Sequence, residues 1–295
     1  MSSTSSHNIE YVLFDLDGLM IDSEKIYTDV TNEILAPFGK EMSWEIKAGC
    51  MGKRSFYLWR VLQVLVLTHT HDQFFLIVAE RAAAEHLLSF YPDIDLPLES
   101  YLQQRNTLQD LRWPTVPLLP GVRKLILHLK KHSIPIAVAT GSRRRNYELK
   151  TGHLGEIFDL FDGEVVCADD KQWDMKGKPE PDIFLTAARE MLGRDVGKPG
   201  DDAISSEQLQ ERARGLVFED ALPGMQARNP LLLIRYGRLN IISRRAKELA
   251  CPVLVWVPDS RLLDVKYDGS ERPDETLKSL EEFVPEKWGL PPYDS

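Results

Sequence analysis

The chain has 295 residues, enough for about two domains at roughly 150 residues each, or one domain with a large insertion. Apolar residues make up 43% and charged residues 27%, so a substantial core can be buried, and the net charge of −9 argues against a nucleic-acid-wrapping surface while allowing a local pocket for one phosphate. Cys50, Cys167 and Cys251 lie far apart with no CxxC spacing, which speaks against a disulfide scaffold or a cysteine zinc site and fits a reducing compartment.

Residues 1–10 carry no basic segment leading into a long apolar run, so they are expected to form a disordered tail of a cytoplasmic protein rather than a secretory signal. A run of about 20 apolar residues, as a membrane helix needs, is not found, so no membrane partner is expected. Tyr11 to Phe14 is a short apolar run that stops at Asp15 and reads as a strand buried on both faces. From Asp22 to about Phe38 the pattern turns helical, with Pro37 and Gly39 marking the end. Apolar residues recur at helical spacing from about Ser55 to Phe90, and a further short helix is expected at Leu98 to Leu111.

The texture changes at Gly121. An amphipathic helix to His132 is followed by an apolar strand, Ile134 to Ala139, which ends at Thr140-Gly141-Ser142. Another helix follows, and Glu164 to Cys167, Leu216 to Phe218 and Val253 to Val257 are further strand candidates, with a helix at Pro181 to Leu192. Strands alternating with helices predict an α/β fold, a mostly parallel sheet covered on both sides. The domain division expected is a core of residues 11–21 and 118–295, with a helical cap of residues 22–117 inserted after the first strand.

Ligands of open parallel sheets bind beyond the carboxyl ends of the strands. There the chain places Asp15 and Asp17-Gly18, then Thr140-Gly141-Ser142, then Lys178 after a polar loop, then Glu219-Asp220. Taken singly each is ordinary: acidic pairs form solvated turns, Thr-Gly-Ser caps helices, and a lysine before proline is usually at the surface. All four at strand ends, in this order, make a chemical set. Several carboxylates together repel unless a hard divalent cation sits among them, and oxygen ligands suit Mg²⁺. Mg²⁺, a lysine and a hydroxyl can hold a phosphoryl group, and a carboxylate can attack its phosphorus. A second acid two residues later can protonate the leaving oxygen and then activate water. His69, His71, His128 and His132 lack ligand spacing or acidic partners and are read as surface or packing residues, and neither a GxSxG elbow nor a P-loop occurs.

The segment Asp15-Leu-Asp17-Gly18-Leu-Met-Ile-Asp22-Ser-Glu24, with Thr140, Lys178 in Lys-Pro-Glu-Pro-Asp-Ile-Phe, and Phe218-Glu219-Asp220, resembles the four motifs of haloacid-dehalogenase-superfamily phosphatases. The likeness covers about Tyr11 to Ala227 and resumes near Val253. Within the superfamily the chain is similar to the pseudouridine-5′-phosphatase family and its fungal relatives, on Cys50 to Lys53, Gly121 to His132 and Trp288 to Tyr293. The resemblance implies a Rossmann-like core with a helical cap and Mg²⁺-dependent hydrolysis of a small phosphomonoester, with pseudouridine 5′-phosphate as first choice. It implies Asp15 as nucleophile and Asp17 as general acid/base, with its backbone carbonyl toward Mg²⁺. Thr140, Gly141 and Ser142 would hold the phosphate, Lys178 would steady Asp15, and Asp15, Asp17, Glu219 and Asp220 would bind the metal. Gly52 and Lys53, on the cap, would close over the substrate. A monomer with a small-molecule partner is expected.

Two departures qualify this reading. Related β-phosphoglucomutases carry a histidine ten residues after the second aspartate; here that position is Tyr27, a packing residue, which favours hydrolysis over phosphoryl return to a sugar. After Gly224-Met-Gln-Ala227 the chain inserts a basic, apolar stretch, residues 228–250, where the family runs directly into its next strand. Pro230 would cut short the helix that backs Glu219 and Asp220. The stretch reads either as a lineage-specific insertion or, the favoured reading, as translated non-coding sequence. The alternatives to the first reading are a sugar- or polyol-phosphate phosphatase and a catalytically inactive relative.

Overall fold

A computed structural model of the chain describes residues 8–44, 46–47, 72–178, 180–198, 201, 204–221, 224–225, 253–259 and 273–294. These divide into two compact units with boundaries at Met1–Ile21, Leu118–Arg143 and Leu154–Ser295 for the first, and Asp22–Pro117 with Arg144–His153 for the second. Gly52, Lys53, His69, His71 and the 228–250 stretch lie outside the described residues.

The first unit is built on a six-stranded sheet whose neighbouring strands all pair in parallel: β1 (Tyr11–Phe14), β2 (Ile136–Thr140), β3 (Val165–Cys167), β4 (Gly215–Glu219), β5 (Val253–Trp256) and β6 (Glu275–Thr276). The order is β3-β2-β1-β4-β5-β6, so β1 lies between the strands that end in Thr140 and Glu219. Phe14 pairs with Val138 on one side and with Phe218 on the other. Every residue of β1, β2, β3 and β4 is buried, which explains why these strands read as continuous apolar runs instead of alternating ones.

β2 starts two residues later than predicted, because Pro135 has no N–H for the ladder and contributes only its carbonyl, which accepts from Val12. On one face Tyr11, Leu13, Ala137, Ala139 and Val217 pack against Ile183, Phe184, Ala187 and Ala188. On the other, Phe14 stacks on Phe218 at 5.2 Å and Phe218 meets Phe283 edge-on at 4.9 Å. Such aromatic pairs add about 0.5–1.5 kcal/mol each beyond the area they bury.

Helices complete the unit: Val122–Lys131, which turns Val122, Leu125, Ile126 and Leu129 inward as its periodicity predicts; Gly155–Phe158; Asp182–Thr186; and Ser206–Ala213. The predicted helix ending near Leu192 passes into a π-helical segment at Ala187–Met191. His128 is buried on the Val122–Lys131 helix, with Nε2 2.9 Å from the Pro291 carbonyl. The tail reading is corrected at its inner end: Ile9 is buried and donates to the Trp288 carbonyl, and Glu10 donates to that of Arg214.

The second unit is helical in its described part: Ser23–Leu35, Asp72–Leu88, Leu98–Arg112 and Arg144–Thr151. Asp22 caps the first helix by accepting from the Lys25 N–H, and Gly39, at φ +66°, closes the 3₁₀ turn that follows it. Thr31 and Tyr101 share a buried hydrogen bond between the first and third of these helices. The helix Arg144–Thr151 belongs to this unit although it follows β2 in the chain; its Lys150 is fully buried against Tyr27 and Trp113. Tyr27 packs edge-on against Trp113 at 5.1 Å, the packing role expected of it. Among the described residues, no helix is long and apolar enough to cross a membrane.

Candidate active site

Parallel register delivers the motif residues to one edge of the sheet. Asp15 follows β1 directly, and its N–H donates to the carbonyl of Phe218 on β4 at 3.0 Å, which ties the start of this loop to the strand that ends in Glu219. Thr140 is the last residue of β2 and Glu219 the last of β4. Gly18 takes φ +78°, a left-handed turn that favours a residue without Cβ.

Lys178 links two of these strand ends. Its Nζ lies 2.6 Å from Asp15 Oδ1 and 3.0 Å from Glu219 Oε2. Burial alone would lower the ammonium pKa, but the two carboxylates more than reverse this, and the group is held charged well above the usual lysine range. Burial pushes Glu219 above the usual carboxylate range, offset in part by Lys178 and reinforced by Asp15.

Carboxylate oxygens of Asp15, Glu219 and Asp220 lie within 4.8 Å of one another, and all three residues are buried. Carboxylates buried this close together favour a hard dication among them, and an all-oxygen donor set suits Mg²⁺ better than a soft metal. Gly224 completes the cradle: a Cβ there would overlap the Glu219 carboxylate, so only glycine lets that side chain lie where it does.

The residues expected to hold phosphate meet as well. Ser142 Oγ donates to Asp17 at 2.6 Å, and the Ser142 N–H donates to Thr140 Oγ1 at 3.0 Å. Because Thr140 Oγ1 already accepts there, its hydroxyl proton is left to donate to a ligand oxygen. A Cβ on Gly141 would meet no protein atom within 4 Å. Asp15, Asp17, Thr140, Ser142, Lys178, Glu219 and Asp220 thus converge in the first unit. Asp17 stands apart from the three metal-competent carboxylates, its side chain turned to Ser142. Gly224 and Trp256 were not read as site residues; the close approach to Glu219 and the Trp256 bond to the Asp220 carbonyl are visible only in three dimensions.

The profile of the haloacid dehalogenase-like hydrolase family matches residues 9–228. The chain belongs to this family. It is 35% identical over 288 residues to (DL)-glycerol-3-phosphatase 2 of Arabidopsis thaliana, covering 97% of this chain and 94% of the relative. It is 30% identical over 293 residues to a Drosophila melanogaster protein named "Probable pseudouridine-5'-phosphatase", covering 99% of each. Among solved structures, a hydrolase of the family from Deinococcus radiodurans, with bound phosphate and sodium, superposes at a TM-score of 0.59 with 18% identity, covering 97% of this chain and 99% of that one. The α/β fold with a parallel Rossmann-like sheet is therefore the fold of the haloacid dehalogenase-like hydrolases.

Proposed function

We propose that this protein is a Mg²⁺-dependent phosphomonoesterase that works through an aspartyl-phosphate on Asp15. The observation that carries the reading is Lys178, which bridges Asp15 and Glu219 beside Asp220 in a buried carboxylate cluster. Asp15, Glu219 and Asp220 are the side chains that would hold the metal, joined by the backbone carbonyl of Asp17. When bound, Mg²⁺ would offset the charge on the phosphoryl oxygens and let nucleophile and substrate approach each other.

Lys178 orients the Asp15 carboxylate through Oδ1, so that Asp15 attacks phosphorus while the ester oxygen departs. Asp17, steadied by the Ser142 hydroxyl, gives its proton to that oxygen, then takes one from the water that hydrolyses the acyl phosphate. Thr140 and the backbone at Gly141 hold the phosphoryl oxygens, while Ser142, whose hydroxyl and N–H donate to Asp17 and Thr140, steadies this side of the site. A full set of catalytic groups argues against the inactive alternative.

The substrate class is a small phosphorylated metabolite, handled by a cytoplasmic monomer with neither nucleic acid nor membrane as partner. Glycerol 3-phosphate now precedes pseudouridine 5′-phosphate as the candidate. The two Arabidopsis thaliana relatives named for it are 35% and 34% identical to this chain, against 30% for each of the two named for pseudouridine. The test is turnover of glycerol 3-phosphate, pseudouridine 5′-phosphate, sugar phosphates and an aryl phosphate, with Mg²⁺ and after chelation. Release of phosphate that stops on chelation and returns with Mg²⁺ supports the reading. Full activity after exhaustive chelation, or none on any ester, refutes it.

A further inference from the structure

The two metal-side carboxylates sit on consecutive residues, Glu219 at the last position of β4 and Asp220 just beyond it. This strand end leaves two peptide carbonyls that need donors, because both residues are buried. β5 supplies both. Glu219 pairs in register with Trp256, and the next N–H, that of Val257, donates to the Glu219 carbonyl at 2.8 Å. The ladder stops there. One residue further on, the Trp256 indole N–H donates to the Asp220 carbonyl, also at 2.8 Å, and continues the ladder with a side chain. Trp256 is itself fixed, since its own carbonyl accepts from Leu277 and its ring packs beside the core that contains Leu254 and Met225.

We propose that Trp256 is a positioning residue for the Mg²⁺ site, acting through the Asp220 main chain. The inference rests on the metal reading given above. An indole nitrogen only donates, so its one polar function here is to hold the peptide between Asp220 and Ala221 in a single orientation. That peptide sets the direction of the Asp220 side chain relative to Glu219 and Asp15. Mg²⁺ demands near-ideal octahedral geometry, so a small rotation of one ligand is costly, and loss of groups that orient ligands commonly weakens metal binding by about 10–100-fold. β5 follows the 226–252 stretch in the chain, so this support reaches the metal side from a different part of the chain than Gly224.

The test compares Trp256→Phe, which keeps an aromatic ring and loses the N–H, with Leu254→Val, which loosens the same strand and keeps the indole. Mg²⁺ binding to the full-length protein is measured by calorimetry, alongside thermal unfolding without metal and the Mg²⁺ concentration for half-maximal turnover. Trp256→Phe should weaken Mg²⁺ binding about tenfold and raise the half-activating concentration in step. Leu254→Val should lower the unfolding temperature and leave Mg²⁺ binding within about twofold. Equal Mg²⁺ affinity in Trp256→Phe and the parent overturns the inference and leaves the metal reading standing. An equal loss in Leu254→Val overturns it too, because strand stability and not the N–H would then be responsible. A parent protein that binds no Mg²⁺ overturns both.

Discussion

Among the described residues, Lys178 of the first unit and Lys47 and Lys150 of the second are withdrawn from solvent, and each is held by different neighbours. In the first unit Lys178 lies between Asp15 and Glu219, which hold it charged. In the second, Lys150 is fully buried with its Nζ 4.4 Å above the Trp113 ring, 5.5 Å above that of Tyr27 and 3.3 Å from the Tyr27 hydroxyl. Lys47, also in the second unit, contacts the Thr28 hydroxyl at 2.8 Å and the Glu24 carboxylate at 3.3 Å, both on the Ser23–Leu35 helix. Lys178, in contact with two carboxylates of the acidic cluster, is the one placed for the proposed chemistry. Lys150 gains cation–π attraction and the packing of its methylene stem from Trp113 and Tyr27.

The sharpest way to break this contrast is at Asp15, the proposed nucleophile. Asp15→Asn leaves the volume unchanged but removes the attacking oxygen and one metal ligand, so turnover should fall by at least about 10⁴-fold with the fold intact. Hydrolysis of an aryl phosphate at near-parent rates would rule out the aspartyl-phosphate. Lys178→Met should cost about 10²–10³-fold in turnover, since Asp15 and Glu219 lose their shared counter-charge. Circular dichroism should show a folded protein. An active Lys178→Met enzyme would mean that the metal alone orients Asp15.

Lys150→Ala tests the other side of the comparison. It empties space against Trp113 and Tyr27 and should destabilise the protein by about 2–3 kcal/mol in denaturant unfolding. Turnover per folded molecule should stay within about threefold. Strong loss of activity at unchanged stability would place Lys150 in the chemistry and end the distinction drawn here.

The smallest effect concerns a buried acid that takes a backbone N–H as donor. Asp182 accepts from the Lys176 N–H at 2.9 Å, and burial raises its pKa to about 6. The folded state therefore binds this proton more tightly than the unfolded chain. The stabilisation is complete below about pH 4 and is lost as pH rises through about 6. Asp182→Asn should abolish that slope, making the variant more stable than the parent at pH 7–8 by up to about 2 kcal/mol, with the gap closing below pH 4. Parallel stability curves for the two proteins across pH 4–8 would refute the shift.

Much of this could be read locally. The helix that ends at Pro37 and Gly39, the inward stripe of Val122 to Leu129 and the apolar strands each show in a few neighbouring residues. The helix Ser206–Ala213 went unread although Ser205 and Gln208 form a capping box that signals its start, because its amphipathic pattern is weak. The grouping of Arg144–Thr151 with the second unit was also unread, since it depends on where Lys150 is buried and not on chain order.

The amino-acid sequence by itself determined which groups could react: the carboxylates, the lysine and the hydroxyls at strand ends, whose identities and local turns follow from neighbouring residues. Only the tertiary structure decided which of them touch. Asp15 and Lys178 are 163 positions apart, and they meet because a parallel sheet with β1 between β2 and β4 brings several strand ends to one edge. The same holds for Gly224 under Glu219 and Trp256 on the Asp220 carbonyl. Such contacts arise from strand order and non-local packing, whose loop-closure cost must be met before the contacts form, and a window of adjacent residues carries no trace of them.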